Sequence, residues 1–325
     1  IVVRLVGSEM CIRDSNSYGD IDNLEILEVA EPRPKRTEVI VKIEAVSLNP
    51  VDIKKMQGGF KPITNLNKFP IFTACDFSGE ITEIGRDVGA FKVGDKVFGM
   101  TDILFNGSAA EKIKISQKLI SLVPKNIKLH EAAAIPQVAN TSLLALRNIA
   151  SIRKGHKILI NGASGGVGSF AIQMAKIYET EITAVTSDRN YEWIKNDFNI
   201  DDVVDYTKED ILSSSKKYDI VFDANGNLSF PKASKILSAN GMYVTTKNNI
   251  YNNIDVAKQL FQRKKSRVVL SGRTSTANLD LFRMWIEDGK IKPVIEKIFS
   301  FDQYLDAYNH LKSGRAKGKI LLTFN

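Results

Sequence analysis

The sequence predicts an α/β protein built from a doubly wound parallel sheet and a smaller β-barrel-like unit. Three observations carry this. A glycine-rich turn, Asn161-Gly162-Ala163-Ser164-Gly165-Gly166-Val167-Gly168, follows a short apolar run, Lys157–Ile160, and precedes a segment of helical period. Downstream of the turn, strand-like and helix-like segments alternate. Upstream of it, short alternating strands are separated by glycine turns.

The turn comes first because the rest is organised around it. Val167, Phe170, Ala171, Met174, Ala175 and Tyr178 repeat at steps of three and four, which predicts an amphipathic helix. Ala163, Gly165 and Gly168 occupy the small-residue positions of a G-x-G-x-x-G fingerprint, with alanine in the first. Small residues let the backbone turn sharply and let a pyrophosphate approach the N–H groups of Ser164, Gly166 and Val167 at the helix start, where the dipole attracts anions. An ordinary tight strand–helix turn is the alternative. The next strand, Ile182–Thr186, ends at Ser187, nineteen residues after Gly168, where an acid would bind the ribose of NAD. Serine, with Arg189 two residues on, suits a 2′-phosphate. The expected cofactor is therefore NADPH. Asp188 argues for NADH, the alternative.

The remaining elements follow in chain order. Glu38–Ser47 alternates, with Val39, Val41, Ile43 and Ala45 on one face. Asn49-Pro50-Val51-Asp52 breaks it, since proline removes a ladder donor. Phe77–Gly85, the turn and strand Val93–Gly99, and Ala109–Ser116 complete the first set of strands. Lys125–Ile149 switches to helical period. After Ser187, Val203–Tyr206, Tyr218–Asp223, Gly241–Thr246 and Arg267–Ser271 read as strands, and Ser229–Leu237 as a helix between them. Asn278–Asp288 and Asp302–Lys312 read as helices, the second with Asp302 as its cap and Gly314 as its end. Gly318–Phe324 is a last strand, expected to return to the first unit.

At 325 residues two domains are expected: residues 16–137 with 286–325 in one, and 138–285 in the other. No run of eighteen apolar residues is present, so no membrane partner is expected. Cys11 and Cys75 give no disulfide framework, which fits a reducing, cytoplasmic location. The formal charge of +8 is scattered, densest at Arg263-Lys264-Lys265, and reads as a solvated surface rather than a nucleic-acid patch. Residues 1–15 resemble a translated adapter scar and are set aside as non-native.

Together these residues resemble the medium-chain dehydrogenase/reductase superfamily, in its zinc-independent quinone-reductase-like branch. The markers are Asn49–Asp52, Val93–Gly99, Asn161–Gly168, Val204–Asp210 and Gly289–Pro293. The resemblance implies a GroES-like domain interrupted by a Rossmann domain, with the active site in the cleft between them. It implies that Ser187, Arg189 and Tyr206 flank the adenosine phosphate and that Thr141, Asn225, Thr245 and Lys319 lie near the nicotinamide. By position alone, Tyr206 could equally serve the core, and Lys319 could equally face solvent. Relatives are often homodimers, and a homodimer is expected here.

The residue types argue against catalytic zinc, which needs about three Cys, His or carboxylate ligands. His130, His156 and His310 match no ligand spacing, and where zinc relatives carry Gly-His-Glu this chain has Ala74-Cys75-Asp76-Phe77. No metal is expected. A hydride acceptor that becomes an enolate, a quinone, enal or enone, then needs only positioning and hydrogen-bond donors. Asn49 is the leading donor candidate, with capping of the turn as its other role. Lys55 is second, supplying positive charge. Asp52 is expected to hold the loop through backbone N–H groups. Two other functions stay open: an NADPH-binding regulator without turnover, RNA-binding in the manner of some zeta-crystallin-like proteins, and an enoyl-thioester reductase.

Overall fold

The computed structural model describes residues 8–14, 18–60, 71–103, 107–247 and 263–324. The chain divides into two compact units. One comprises Ile1–Gln137, Gly272–Gly289 and Pro293–Asn325, the other Val138–Ser271 and Lys290–Lys292. Residues 272–285, expected with the parallel sheet, thus group with the first unit. Helix Thr276–Glu287 explains this: Ser121 Oγ donates to Asp280 Oδ1 at 2.5 Å and Asn126 Nδ2 to the Ile286 carbonyl at 2.8 Å.

Along the chain lie β1 (Ser8–Asp14), β2 (Leu24–Ala30), β3 (Glu38–Leu48), α1 (Pro50–Met56), β4 (Ile71–Phe72), β5 (Asp76–Ile84), β6 (Lys96–Met100), β7 (Lys112–Ser116) and β8 (Ile120–Leu122). Then come α2 (Pro136–Leu143), β9 (Lys157–Asn161), α3 (Gly166–Ile177), β10 (Glu181–Thr186), α4 (Asp188–Asp197), β11 (Asp202–Asp205) and β12 (Tyr218–Asp223). Last are α5 (Phe230–Ala233), β13 (Leu237–Thr245), β14 (Lys265–Val268), α6 (Thr276–Glu287), β15 (Ile295–Ser300), α7 (Tyr304–Lys312) and β16 (Lys319–Thr323).

The first unit centres on a seven-stranded sheet in the order β15-β16-β3-β5-β6-β8, with β7 also paired to β3. Strand β16 runs antiparallel to β3, with Ile320 opposite Leu48. This places Lys319 beside the end of β3, where the chain turns into α1. The apolar face read in β3 is buried: Val39, Val41 and Ile43 pack with Phe77, Ile81, Val97 and Leu322. Of the segment set aside as non-native, residues 1–7 and 15 lie outside the described residues. Ser8–Asp14 is a strand, paired antiparallel with β2 from Ser8–Ala30 to Asp14–Leu24.

The second unit is a six-stranded parallel sheet in the order β11-β10-β9-β12-β13-β14. Numbered from β9, this is the order 3-2-1-4-5-6, which reverses direction between β9 and β12. Central strands of such a sheet are covered on both faces and read as continuous apolar runs. Ile158, Leu159 and Ile160 are fully buried accordingly. Two local expectations are corrected. The helix read over Ser229–Leu237 stops at Ala233, because Leu237 begins β13 and pairs with Tyr218. Asp302 is not a cap: it sits within a 3-10 turn, Phe301–Gln303, and Gln303 Oε1 accepts from the Ser300 N–H at 3.2 Å.

Candidate functional site

In the second unit the glycine turn is shaped by two backbone constraints. Gly162 has φ +79°, and a Cβ on it would lie 2.9 Å from the Asn225 Cβ. A Cβ on Gly168 would lie 2.1 Å from the Gly162 carbonyl oxygen, so the third glycine is required by packing. Gly165 differs. A Cβ there would meet only the Gly162 oxygen, at an ordinary 3.6 Å. Its smallness serves nothing inside the fold and keeps the start of α3 open. Gly165 is the N-cap of that twelve-residue helix, with no side-chain bond to its free N–H groups. Ala163 is fully buried and donates to the Val185 carbonyl at 3.0 Å; Ser164, Gly165, Gly166 and Val167 are half-buried. This is a cradle that fits a pyrophosphate.

Beside the turn lies a groove of about 460 Å³, lined by Asn161, Gly162, Val185, Tyr206, Lys208 and Asn225 among others. It runs along the carboxyl ends of β9, β10, β11 and β12, where open α/β sheets bind ligands. Of the expected adenosine residues, Tyr206 lines the groove and is 62% exposed, so it is not a core residue. Ser187 occupies the N-cap position of α4 without a side-chain capping bond, and Arg189 is exposed on its first turn.

Sequence reasoning missed the support beneath this groove. Asp223, fully buried at the end of β12, accepts from Asn161 Nδ2 at 2.7 Å and from the N–H groups of Gly226 and Leu228 at 2.9 Å. It also accepts from the Tyr243 hydroxyl at 3.0 Å and from Thr245 Oγ1 at 3.4 Å. Burial, then the Asp223 charge, holds the Tyr243 hydroxyl above its usual pKa. One carboxylate therefore ties the glycine turn, the loop carrying Asn225 and strand β13 together. The available signal was an acid ending an apolar strand, Tyr218–Asp223. Thr245 belongs to this network, and Thr141 is a buried residue of α2.

In the first unit a polar cluster is buried at the junction of β3, α1, β5 and β16. Asn49, Asp52, Cys75, Asp76 and Lys319 are each no more than 3% exposed. Lys319 Nζ donates to Asn49 Oδ1 at 2.5 Å, to the Leu48 carbonyl at 3.0 Å and to Asp76 Oδ2 at 3.5 Å. Asn49 Nδ2 donates to Asp76 Oδ2 at 2.9 Å and to the Ser47 carbonyl at 3.3 Å. Asp76 Oδ1 accepts from the Gln137 N–H at 2.8 Å. Asp52 Oδ2 accepts from the Asn49 N–H at 2.8 Å, the loop-holding role read from the sequence.

These bonds correct two expectations. Both Asn49 amide hydrogens point inward to acceptors, so this group is not aimed at a substrate oxygen. Lys319 is neither solvated nor turned toward a cofactor, because its three ammonium protons meet three protein acceptors. Lys55 is half-buried and donates to the Phe72 carbonyl at 3.0 Å. Burial lowers its pKa, opposed by Asp52, Cys75 and Asp102. Burial also raises Asp52 to about 7, against the Asn49 N–H, Lys55 and Lys319. The same desolvation lifts Asp76, and it lifts the Cys75 thiol well above its usual value, with Asp76 and Asp52 adding to it.

Residues 35–125 match the alcohol dehydrogenase GroES-like domain, and residues 198–322 match a model described as zinc-binding dehydrogenase. The chain is 35% identical to a chloroplast envelope quinone oxidoreductase homolog of Arabidopsis thaliana, over 98% of this chain and 99% of that one. It is 31% identical to an NADPH-dependent alkenal/one oxidoreductase of the same plant, over 94% of this chain and 78% of that one. The solved quinone oxidoreductase from Coxiella burnetii superposes with a TM-score of 0.89 at 27% identity, over 98% of this chain and 100% of that one. A GroES-like unit with a Rossmann unit defines a class of two-domain oxidoreductases. The chain belongs to the medium-chain dehydrogenase/reductase superfamily, in its quinone-oxidoreductase-like branch.

A zinc ion does not fit the residues around Cys75. Among the described residues no group of three or more His, Cys, Asp or Glu side chains is placed to hold a metal. The two carboxylates there are engaged by N–H, amide and ammonium donors.

Proposed function

We propose that the protein is an NADPH-dependent reductase that delivers hydride to a quinone or an α,β-unsaturated carbonyl without a metal. The observation that carries this is the glycine cradle opening on the groove at the carboxyl ends of β9 to β12, in a chain whose relatives include named quinone and alkenal/one oxidoreductases.

The cofactor supplies the hydride when bound. The chain's own residues hold it. The N–H groups of Ser164, Gly166, Val167 and Gly168 face the pyrophosphate, with Gly165 turning the chain by donating to the Gly162 carbonyl, while Ser187, Arg189 and Tyr206 take the 2′-phosphate end. Asn225, Thr245 and Thr141 serve the remainder. In the first unit Lys55 is the proposed electrophilic group: it is a half-buried cation held by the Phe72 carbonyl at 3.0 Å. A cation in a partly dry site stabilises the negative charge that develops on a carbonyl oxygen more strongly than in water.

The test is steady-state NADPH oxidation with a panel of quinones, enals and enones, alongside a metal analysis of the same preparation. Turnover by metal-free protein supports the proposal. A folded protein that binds NADPH yet turns over nothing in the panel contradicts it. The homodimer and the cytoplasmic location belong to the same proposal. Light scattering tests the first. Cell fractionation tests the second, since relatives carry chloroplastic and mitochondrial names. No helix among the described residues is long and apolar enough to cross a membrane.

A further inference from the structure

Asp188 follows directly on Ser187, the position where an acid would favour NADH. It is the first residue of α4, twenty residues after Gly168, at the carboxyl end of β10. Left alone, its carboxylate would accept from ribose hydroxyls and repel a 2′-phosphate. It is not alone. Lys208, from the turn after β11, forms an ion pair with Asp188 Oδ1 and stands 3.4 Å from Asp205 Oδ2.

The backbone holds Lys208 in place. The Lys208 N–H donates to the Asp205 carbonyl at 3.0 Å, and the Tyr206 N–H donates to the Thr186 carbonyl at 3.0 Å. Thr207 bonds Asp205 Oδ1 through its N–H at 3.0 Å and its hydroxyl at 2.8 Å. The turn after β11 is thereby pinned to the end of β10, and Lys208 lines the groove itself. Among the residues lining the groove Lys208 is the cation, and Glu209 and Asp210 are the carboxylates. Without Lys208 only negative charge remains on that lining, with Asp188 unpaired from it, the wrong sign for a phosphate.

We infer that Lys208 sets the cofactor preference by neutralising Asp188, an inference that rests on reading this groove as a nicotinamide dinucleotide site. The effect should grow against a phosphate, which carries close to two negative charges near neutral pH.

The test is calorimetric titration of NADPH and NADH into the wild type, Lys208→Met, Asp188→Asn and the double variant. The expected result is a fall of about tenfold in the NADPH-to-NADH affinity ratio for Lys208→Met, with the ratio of the double variant within about twofold of Asp188→Asn alone. An unchanged ratio in Lys208→Met overturns the inference. So does a loss of the same size in the Asp188→Asn background, because Lys208 would then act independently of Asp188. Wild type that binds neither dinucleotide refutes the reading of the groove itself, a separate outcome.

Discussion

The Lys319 ammonium donates to Asn49 Oδ1 at 2.5 Å, and that contact fixes which way the Asn49 amide faces. An ammonium only donates, so the amide oxygen must point at it and the NH₂ must point at Asp76 and Ser47. The arrangement joins β16 to the β3–α1 corner through one lysine. Breaking a buried pair by removing one partner costs about 3–5 kcal/mol. Lys319→Met is therefore expected to lower the unfolding free energy by roughly that amount, because it leaves the Asp76 carboxylate buried with the Asn49 amide, the Ser47 hydroxyl and the Gln137 N–H as its donors and without the ammonium. The double variant Lys319→Met/Asp76→Asn should recover part of the loss, measured by urea denaturation.

Asp52 gives a pH dependence of definite sign. Its folded pKa is raised to about 7 by burial, against about 3.9 for an exposed aspartate. Between those values the folded state holds a proton that the unfolded state has released. This contribution to stability is complete below about pH 4 and is lost as pH rises through about 7, at up to about 1.4 kcal/mol per pH unit. Asp52→Asn keeps an acceptor for the Asn49 N–H and cannot titrate. The denaturation midpoint of the wild type should thus fall relative to this variant between pH 5 and pH 8, each value approximate, by pH-resolved urea melts.

The three small positions of the glycine turn should separate. Gly168→Ala forces a Cβ to 2.1 Å from a carbonyl oxygen and should abolish nucleotide binding with a loss of stability. Gly165→Ala meets only an ordinary 3.6 Å contact, so the protein should melt within a degree or two of wild type while NADPH affinity drops about tenfold or more. Thermal melts with and without NADPH check both. A Gly165→Ala protein that binds NADPH normally would remove the pyrophosphate from this turn.

Much of this could be read from residues alone. The central strand β9, the turn after it and helix α3 were legible because apolar runs, small residues and helical period coincide there. The return of β16 to the first sheet was legible from chain order. The roles of Asn49 and Lys319 were not. Lys319 lies 270 residues from Asn49, and only the antiparallel pairing of β16 with β3 brings the ammonium to the amide. Lys208 was hidden for a similar reason: its meaning depends on parallel pairing that sets Asp205 beside Thr186. Helix α6 was legible as a helix, but not the unit it joins, since its partners Ser121 and Asn126 are about 160 residues away.

Asp223 should act on both stability and cofactor affinity, because its carboxylate ties the turn at Asn161 to the loop at Gly226 and Leu228. Asp223→Asn turns an NH₂ toward groups that already donate and should cost about 1–3 kcal/mol, together with weaker NADPH binding. Tyr243→Phe removes a single donor and should cost about 1 kcal/mol with a smaller change in affinity. Denaturation and calorimetry on the two variants check the order.

The most direct test of metal-free hydride delivery by this chain is isotopic. The protein, freed of metal by chelation, is incubated with NADPH deuterated at its transferable C4 hydrogen and a simple enone, and the product is read by mass spectrometry. The expected result is a saturated ketone carrying one deuterium on the carbon β to the carbonyl. Reduced product without the label, or no reduction by protein that binds NADPH, would contradict it.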